Sequence, residues 1–99
     1  MRVYKSFKIA GSEYYDALFV IDKLKQGQKL KLKLEPKNIH DENAVAIYSK
    51  KHKLGYIPRS ANYLISQILK AGWKIFECYV QTIDKKTLEV NVAVFVRKK

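Results

Sequence analysis

Alternation is the strongest pattern in this chain. In Gln28-Lys29-Leu30-Lys31-Leu32-Lys33-Leu34-Glu35 the leucines fall on one side and the lysines on the other, which is the two-residue period of a strand with one buried face. Leu88, Val90, Val92, Val94 and Val96 repeat that period, and Ala93 and Phe95 make the second face apolar as well. That pattern predicts an internal strand with cover on both sides. Further strands are predicted over Tyr4 to Ile9, Ala44 to Tyr48, Lys53 to Tyr56 and Lys74 to Thr82, the last joined to the C-terminal strand by a turn around Asp84-Lys85-Lys86. Six strands in 99 residues suggest a small β-barrel.

Two segments follow the helical period instead. Ser60 is the predicted cap of the first, Ala61, Leu64, Ile65, Ile68 and Leu69 form its apolar stripe, and Gly72 ends it. Over Asp16 to Lys25, Ala17, Val20, Ile21 and Leu24 have matching intervals before Gly27. The β-branched residues there leave a strand as the competing reading. The fold class is therefore mainly β with two helices (α+β), in one domain over residues 1–99. Only Arg97-Lys98-Lys99 reads as a tail.

Charge narrows the partner. Twenty Lys and Arg against nine Asp and Glu give +11, an excess large for this length and accompanied by seven tyrosines. This favours a nucleic-acid partner over charge that serves solubility alone. Cys78 is the lone cysteine, so no internal disulfide forms, and it lies in a strand-like run where a thiol fills core space. Only His40 and His52 accompany it, too few for a structural zinc site, and no cofactor is implied. No apolar run approaches a membrane span, so the expected address is the cytoplasm.

The candidate chemistry sits in one loop. After Leu34-Glu35-Pro36, the residues Asn38, His40, Asp41 and Asn43 crowd together before a new strand begins at Ala44. A hydrolase would have to be assembled from His40, Asp41 and Tyr56 or Ser12, and nothing in the sequence fixes such a triad. Binding suits these residues better, because exposed bases stack on aromatic rings and phosphates are neutralised by Lys or Arg. Tyr14 and Tyr15 follow Gly11-Ser12-Glu13. Tyr15 is read as a cap on the barrel core, whereas Tyr14 suits either that role or a stacking platform. Tyr56, between Gly55 and Pro58-Arg59, could line a groove beside Arg59 or lie buried with its hydroxyl satisfied. Asp41 and Asn43 can also be read as Asx-turn residues that shape the loop, and for Asn43 that reading is preferred to contact.

Together these pieces resemble the HIRAN domain family. The resemblance runs through Ile9-Ala10-Gly11, Tyr14-Tyr15, Leu34-Glu35-Pro36, Asn38-Ile39-His40-Asp41-Glu42-Asn43-Ala44-Val45, Leu54-Gly55-Tyr56-Ile57-Pro58 and the helix after it, from about Phe7 to Gly72. It implies a six-stranded OB-like or SH3-like β-barrel with two helices. In the family member carried by a eukaryotic fork-remodelling translocase, the domain grips the 3′ end of single-stranded DNA. By resemblance, Tyr14 matches a base-stacking aromatic, His40 takes the place of a second stacking ring, and Asp41 matches an acid that recognises the terminal 3′ hydroxyl. Asn38 matches a neighbouring polar contact, and Tyr56 and Arg59 stand where that relative touches phosphates. Two positions depart from it: Glu13 stands where the relative has a basic residue, and His40 replaces a tyrosine.

The expected function is a non-catalytic module for single-stranded DNA, selective for its 3′ end, in DNA repair or replication. Tyr14 and His40 would stack on bases, and Lys37 and Arg59 would contact phosphates. The module is expected to be a monomer, with a helicase or nuclease as a partner in trans. The alternative is a protein-interaction or RNA-associated accessory domain, working through a barrel edge or the helix from Ser60 to Ala71, with incidental charge.

Overall fold

The structure is a computed structural model and describes residues 2–97. Strands β1 (Arg2–Lys8), β2 (Lys29–Leu34), β3 (Val45–Ser49), β4 (His52–Tyr56), β5 (Phe76–Asp84) and β6 (Glu89–Val96) are joined by helices α1 (Ala17–Val20) and α2 (Arg59–Lys70). They form one six-stranded sheet in the order β1-β6-β5-β2-β3-β4, with every pairing antiparallel. As its two apolar faces predict, β6 is internal, lying between β1 and β5. Its Val90, Val92 and Val94 are buried on one face and Ala93 on the other. Cys78 is also fully buried, and burial pushes its thiol up to about 12. It fills core space and is no nucleophile at neutral pH.

The sheet curls until its ends meet at one point. Ala10, just beyond β1, exchanges two backbone hydrogen bonds with Tyr56 at the end of β4, at 2.8 and 2.9 Å. Strands β1 and β4 themselves do not pair, so the expected barrel is joined there by a single residue pair. Gly55 makes this approach possible. Its φ is +152°, and a Cβ built there would lie 2.4 Å from the Ala10 carbonyl oxygen and 2.6 Å from the Ile9 side chain.

Both helices depart in detail from the sequence expectation. The strand reading of the first is excluded, and Ala17, Val20, Ile21 and Leu24 are buried as their spacing predicts. However, α1 lasts one turn and gives way to a 3₁₀ turn over Ile21–Lys23, where Val20 has φ −123°. Two successive β-branched residues there disfavour a longer α-helix. In α2, Pro58 stands at the cap position, with φ −55° and ψ 146°, so Ser60 lies inside the first turn and caps nothing. Of the predicted stripe Ile65 is fully buried and Ala61 and Leu69 pack against the core, but the buried face is rotated away from Leu64. Asn62, Ile65 and Ser66 are buried, whereas Leu64 is 47% exposed. Polar partners below the helix turn it toward Asn62, as the site shows. Its end is a Schellman motif: Gly72 (φ +89°) donates to Leu69 O at 3.0 Å and Trp73 to Ile68 O at 3.2 Å.

Strand bounds shift by a residue or two. β5 starts at Phe76 rather than Lys74 and runs to Asp84, while the turn covers residues 85–88 and holds Leu88 at φ +63°. Arg97, expected to belong to a tail, is tied to the fold, its N–H donating to the Ile75 carbonyl and its side chain to Glu77; Lys98 and Lys99 lie outside the described residues.

Candidate nucleic-acid interface

Three segments meet beside the Ala10–Tyr56 bridge. The first is the turn after β1. Gly11, in the left-handed region at φ +75°, turns the chain into a 3₁₀ turn over Ser12–Tyr14. Ser12 is buried and its hydroxyl donates to the Leu88 carbonyl at 2.7 Å, anchoring this turn to the β5–β6 connection. Tyr14 is thereby pushed into solvent, 80% exposed. Tyr15, expected to cap the core, is instead 37% exposed and sets its ring edge-on to Tyr56, with centroids 5.5 Å apart.

The second segment is β4 with the end of β2. The Tyr56 hydroxyl donates to Glu35 Oε1 at 2.7 Å and accepts from Lys53 Nζ at 3.0 Å, while Lys53 also donates to Glu35 Oε2 at 2.7 Å. Lys53 lies 5.0 Å from the Tyr56 ring centroid and 5.3 Å from that of Tyr15. Burial opposes ionisation of Glu35, but hydrogen bonds from Lys53, Tyr56 and Asn38 outweigh it and hold its pKa below the usual value. Burial likewise works against the Lys53 charge, and Glu35 more than restores it. Burial, with Glu35 as acceptor, raises the Tyr56 phenol to about 12 despite Lys53, so it stays protonated at neutral pH. The Tyr56 hydroxyl is therefore committed inside this cluster, and its ring is what remains for the pocket.

The third segment is the loop from Glu35 to Ala44, which shapes itself. Asn38 Oδ1 accepts from the backbone N–H groups of His40 (2.8 Å) and Asp41 (3.2 Å), and Asp41 Oδ1 accepts from that of Asn43 (2.9 Å). Asn38 and Asp41, not Asn43, are thus the Asx-turn residues. Asn43 instead ties the loop to α2, accepting from Gln67 at 2.9 Å and Lys70 at 3.0 Å. Asn62, the buried polar residue of α2, donates to Asp41 Oδ2 at 2.8 Å. From the start of α2, Arg59 donates to the His40 carbonyl at 2.7 Å and lies 3.8 Å from Asp41 Oδ2. The Asn43 N–H, with Asn62 and Arg59, holds the Asp41 carboxyl below its ordinary pKa against the opposing effect of burial.

Between these segments lies a cavity of about 240 Å³. Tyr14, Asn38, His40, Asp41, Tyr56 and Arg59, all singled out from the sequence, line it. Lys37 does not; it is exposed on the preceding turn. Tyr15 lines the cavity, and Glu35, Lys53 and Asn62 stand behind the lining. Among the described residues no group of three or more His, Cys, Asp or Glu is arranged to hold a metal ion, and no helix is long and apolar enough to cross a membrane.

The family profile of the HIRAN domain matches residues 4–99. The chain belongs to the HIRAN domain family. This HIRAN domain is similar to a protein from Lactobacillus plantarum known by crystal structure, with a TM-score of 0.86 and 23% identity over 96% of this chain and 93% of that one. It is also similar to the crystal structure of the HIRAN domain of human HLTF, with a TM-score of 0.70 and 14% identity over 98% of this chain and 80% of that one. At these identities the likeness establishes the fold. No curated protein sequence matches the chain. HIRAN domains are small modules that bind nucleic acid, and the family is generally associated with DNA binding.

Proposed function

We propose that this HIRAN domain binds the 3′ end of single-stranded DNA in the cavity between Tyr14 and Asp41. The observation that carries the reading is an ionised carboxylate inside the aromatic pocket of a protein of charge +11. A carboxylate repels an internal phosphate but accepts a hydrogen bond from a free hydroxyl. Asp41 Oδ1 accepts one protein N–H and Oδ2 faces Asn62 and Arg59, which leaves acceptor capacity on a group with about four lone-pair sites.

Size supports an end over a stretch. A cavity of 240 Å³ lies below the ~300–1,000 Å³ of drug-sized sites and suits one terminal unit of a polymer. Tyr14 offers an open ring for the last base, His40 faces it from the loop, and Arg59 stands at the rim for a phosphate. Lys37, outside the lining, would meet the strand where it leaves the pocket. In this reading the module marks a DNA end for a repair or replication enzyme, a helicase or nuclease acting in trans.

The test is fluorescence-anisotropy titration of one short oligonucleotide carrying a 3′ hydroxyl or a 3′ phosphate, with duplex and RNA controls. Binding of the hydroxyl form should exceed that of the phosphate form at least about tenfold, and Asp41→Asn should erase the difference. Equal, steeply salt-dependent binding of all these molecules would sink end recognition and leave general polyanion attraction.

A further inference from the structure

Strand β2 changes partners along its length, from β5 where it begins to β3 over the rest. It meets β3 from Lys31 to Leu34, but it meets β5 only at Lys29–Tyr79 and Leu30–Cys78. The direction of its backbone groups follows from the bonds at either end. Glu35 donates to Ala44 O at 2.9 Å, so odd-numbered residues turn toward β3, and Gln28 O accepts from Val80 at 2.9 Å, so even-numbered residues turn toward β5. Leu32 and Leu34 therefore aim their N–H and C=O groups at the β5 side, where the ladder has already stopped. Continued, it would place Phe76 opposite Leu32, yet Phe76 pairs with Val96 of β6 and not with β2. Among the described residues neither Leu32 nor Leu34 has a pairing partner on β5.

A groove of about 640 Å³ opens where the two strands splay. Leu32, Leu34, Leu69 and Phe76 form its apolar walls, and Lys29, Lys31, Lys50, Lys74 and Arg97 surround it. Glu77 is the one carboxylate in the lining, and it faces Lys29 at 3.7 Å and Arg97 at 2.9 Å. Five cations less one anion leave +4 around the groove. No ion pair among the described residues engages Lys31, Lys50 or Lys74.

An open strand edge, apolar walls and a positive rim make three separate demands on an occupant. A nucleic-acid backbone meets only the third. An extended peptide satisfies the edge with its own amides, and its side chains alternate between the two faces of the new strand. We propose that this groove is a strand-addition site for an extended acidic peptide of a partner protein. The peptide pairs with Leu32 and Leu34, its apolar side chains enter between Leu69 and Phe76, and its carboxylates meet Lys31, Lys50 and Lys74. The groove lies beside the C-terminal end of α2 and the DNA pocket beside Arg59 at its start. The ten residue steps from Arg59 to Leu69 make about 15 Å of helix, so both sites can be filled together.

Amide hydrogen exchange by NMR on the whole chain tests this, with a short peptide of alternating glutamate and valine as probe and a lysine–valine peptide as control. In the free protein the Leu32 and Leu34 amides should exchange rapidly. The acidic peptide should protect them, the basic one should not, and joint Lys31→Glu and Lys74→Glu substitution should weaken binding roughly tenfold or more. Slow exchange of both amides in the free protein would mean the edge is already closed and would overturn the proposal. So would rapid exchange that the acidic peptide leaves unchanged, and so would perturbation of these amides by an oligonucleotide in place of the peptide. None of these results bears on 3′-end recognition, which the pocket experiment decides independently.

Discussion

The two ends of α2 solve opposite problems. At its start, nearly every polar group around the pocket has a partner before any ligand arrives: Glu35, Lys53 and Tyr56 satisfy one another, and Asn38, Asp41, Asn43 and Asn62 fix the loop. At its end, among the described residues, the groove along β2 holds Leu32 and Leu34 without a β5 partner and Lys31, Lys50 and Lys74 without an ion pair. The first arrangement fixes the position of a few ligand-facing atoms, which suits discrimination between chemically similar ends. The second leaves hydrogen-bonding capacity open, which suits a partner recognised by its extended backbone and charge.

Breaking the pocket end should cost the most. Gly55→Ala places a Cβ against the Ala10 carbonyl and in a backbone region that alanine rarely adopts, so stability should fall by at least about 3 kcal/mol in a denaturant titration. Removal of Glu35 tests the cluster behind the lining: Glu35→Ala strands Lys53 and the Tyr56 hydroxyl and should cost about 1–3 kcal/mol. This effect has a pH signature. The folded-state pKa of Glu35 is depressed below 4.5, so its contribution is fully present above that value and is lost as pH falls through the lower folded value. Acid unfolding of Glu35→Gln should accordingly show a weaker pH dependence below about 4.5 than that of the parent protein.

Smaller changes separate binding from stability. Tyr14→Ala removes a largely exposed ring, so the melting temperature should hold while single-stranded DNA affinity drops about tenfold, since a stacked base contributes on the order of 1–3 kcal/mol. Lys31→Ala at the groove should alter stability by less than about 0.5 kcal/mol, because its side chain makes no ion pair among the described residues. A loss of 1 kcal/mol or more there would show the groove to be as tightly knit as the pocket, and the contrast would fail.

Much of this was legible in the residues themselves. Period-two alternation located β2 and β6, because a strand with a buried face writes its burial into the sequence, and strand-like runs bounded by turn residues located the other four. The buried positions of α1 followed from spacing in the same way. The face of α2 was legible only in part: Ile65 is buried as its spacing predicts, but apolar counting favours Leu64 over Asn62, and Asn62 is buried for the sake of Asp41 in a loop twenty-one residues earlier. Strand bounds moved where a turn or a proline, not burial, decides the end. Tyr14, Asn38, His40, Asp41, Tyr56 and Arg59 converge as expected, since they cluster at strand ends that the topology brings together. Lys37 was chosen for charge alone, and charge does not fix where a turn points its side chain. Tyr15, Glu35 and Lys53 became visible as a cluster only once β2, β4 and the turn after β1 were seen side by side. The splay of β2 from β5 left no mark in the alternation, which runs on unchanged through Leu34.

The hydroxyl of Ser12 reaches a carbonyl seventy-six residues later in the chain, and it holds the turn that presents Tyr14. The Ala10–Tyr56 bridge spans much of the intervening distance. Contacts of such long sequence separation close late in folding, after the loops they span have lost their freedom. The side of the pocket that carries Tyr14 therefore has no local nucleus of its own, unlike the self-shaped loop from Glu35 to Ala44. An emerging or partly unfolded chain that has not yet placed the β5–β6 connection carries its full positive charge but no site to direct it. The selective binding proposed for this pocket, in contrast to mere attraction, would be a readout of completed folding.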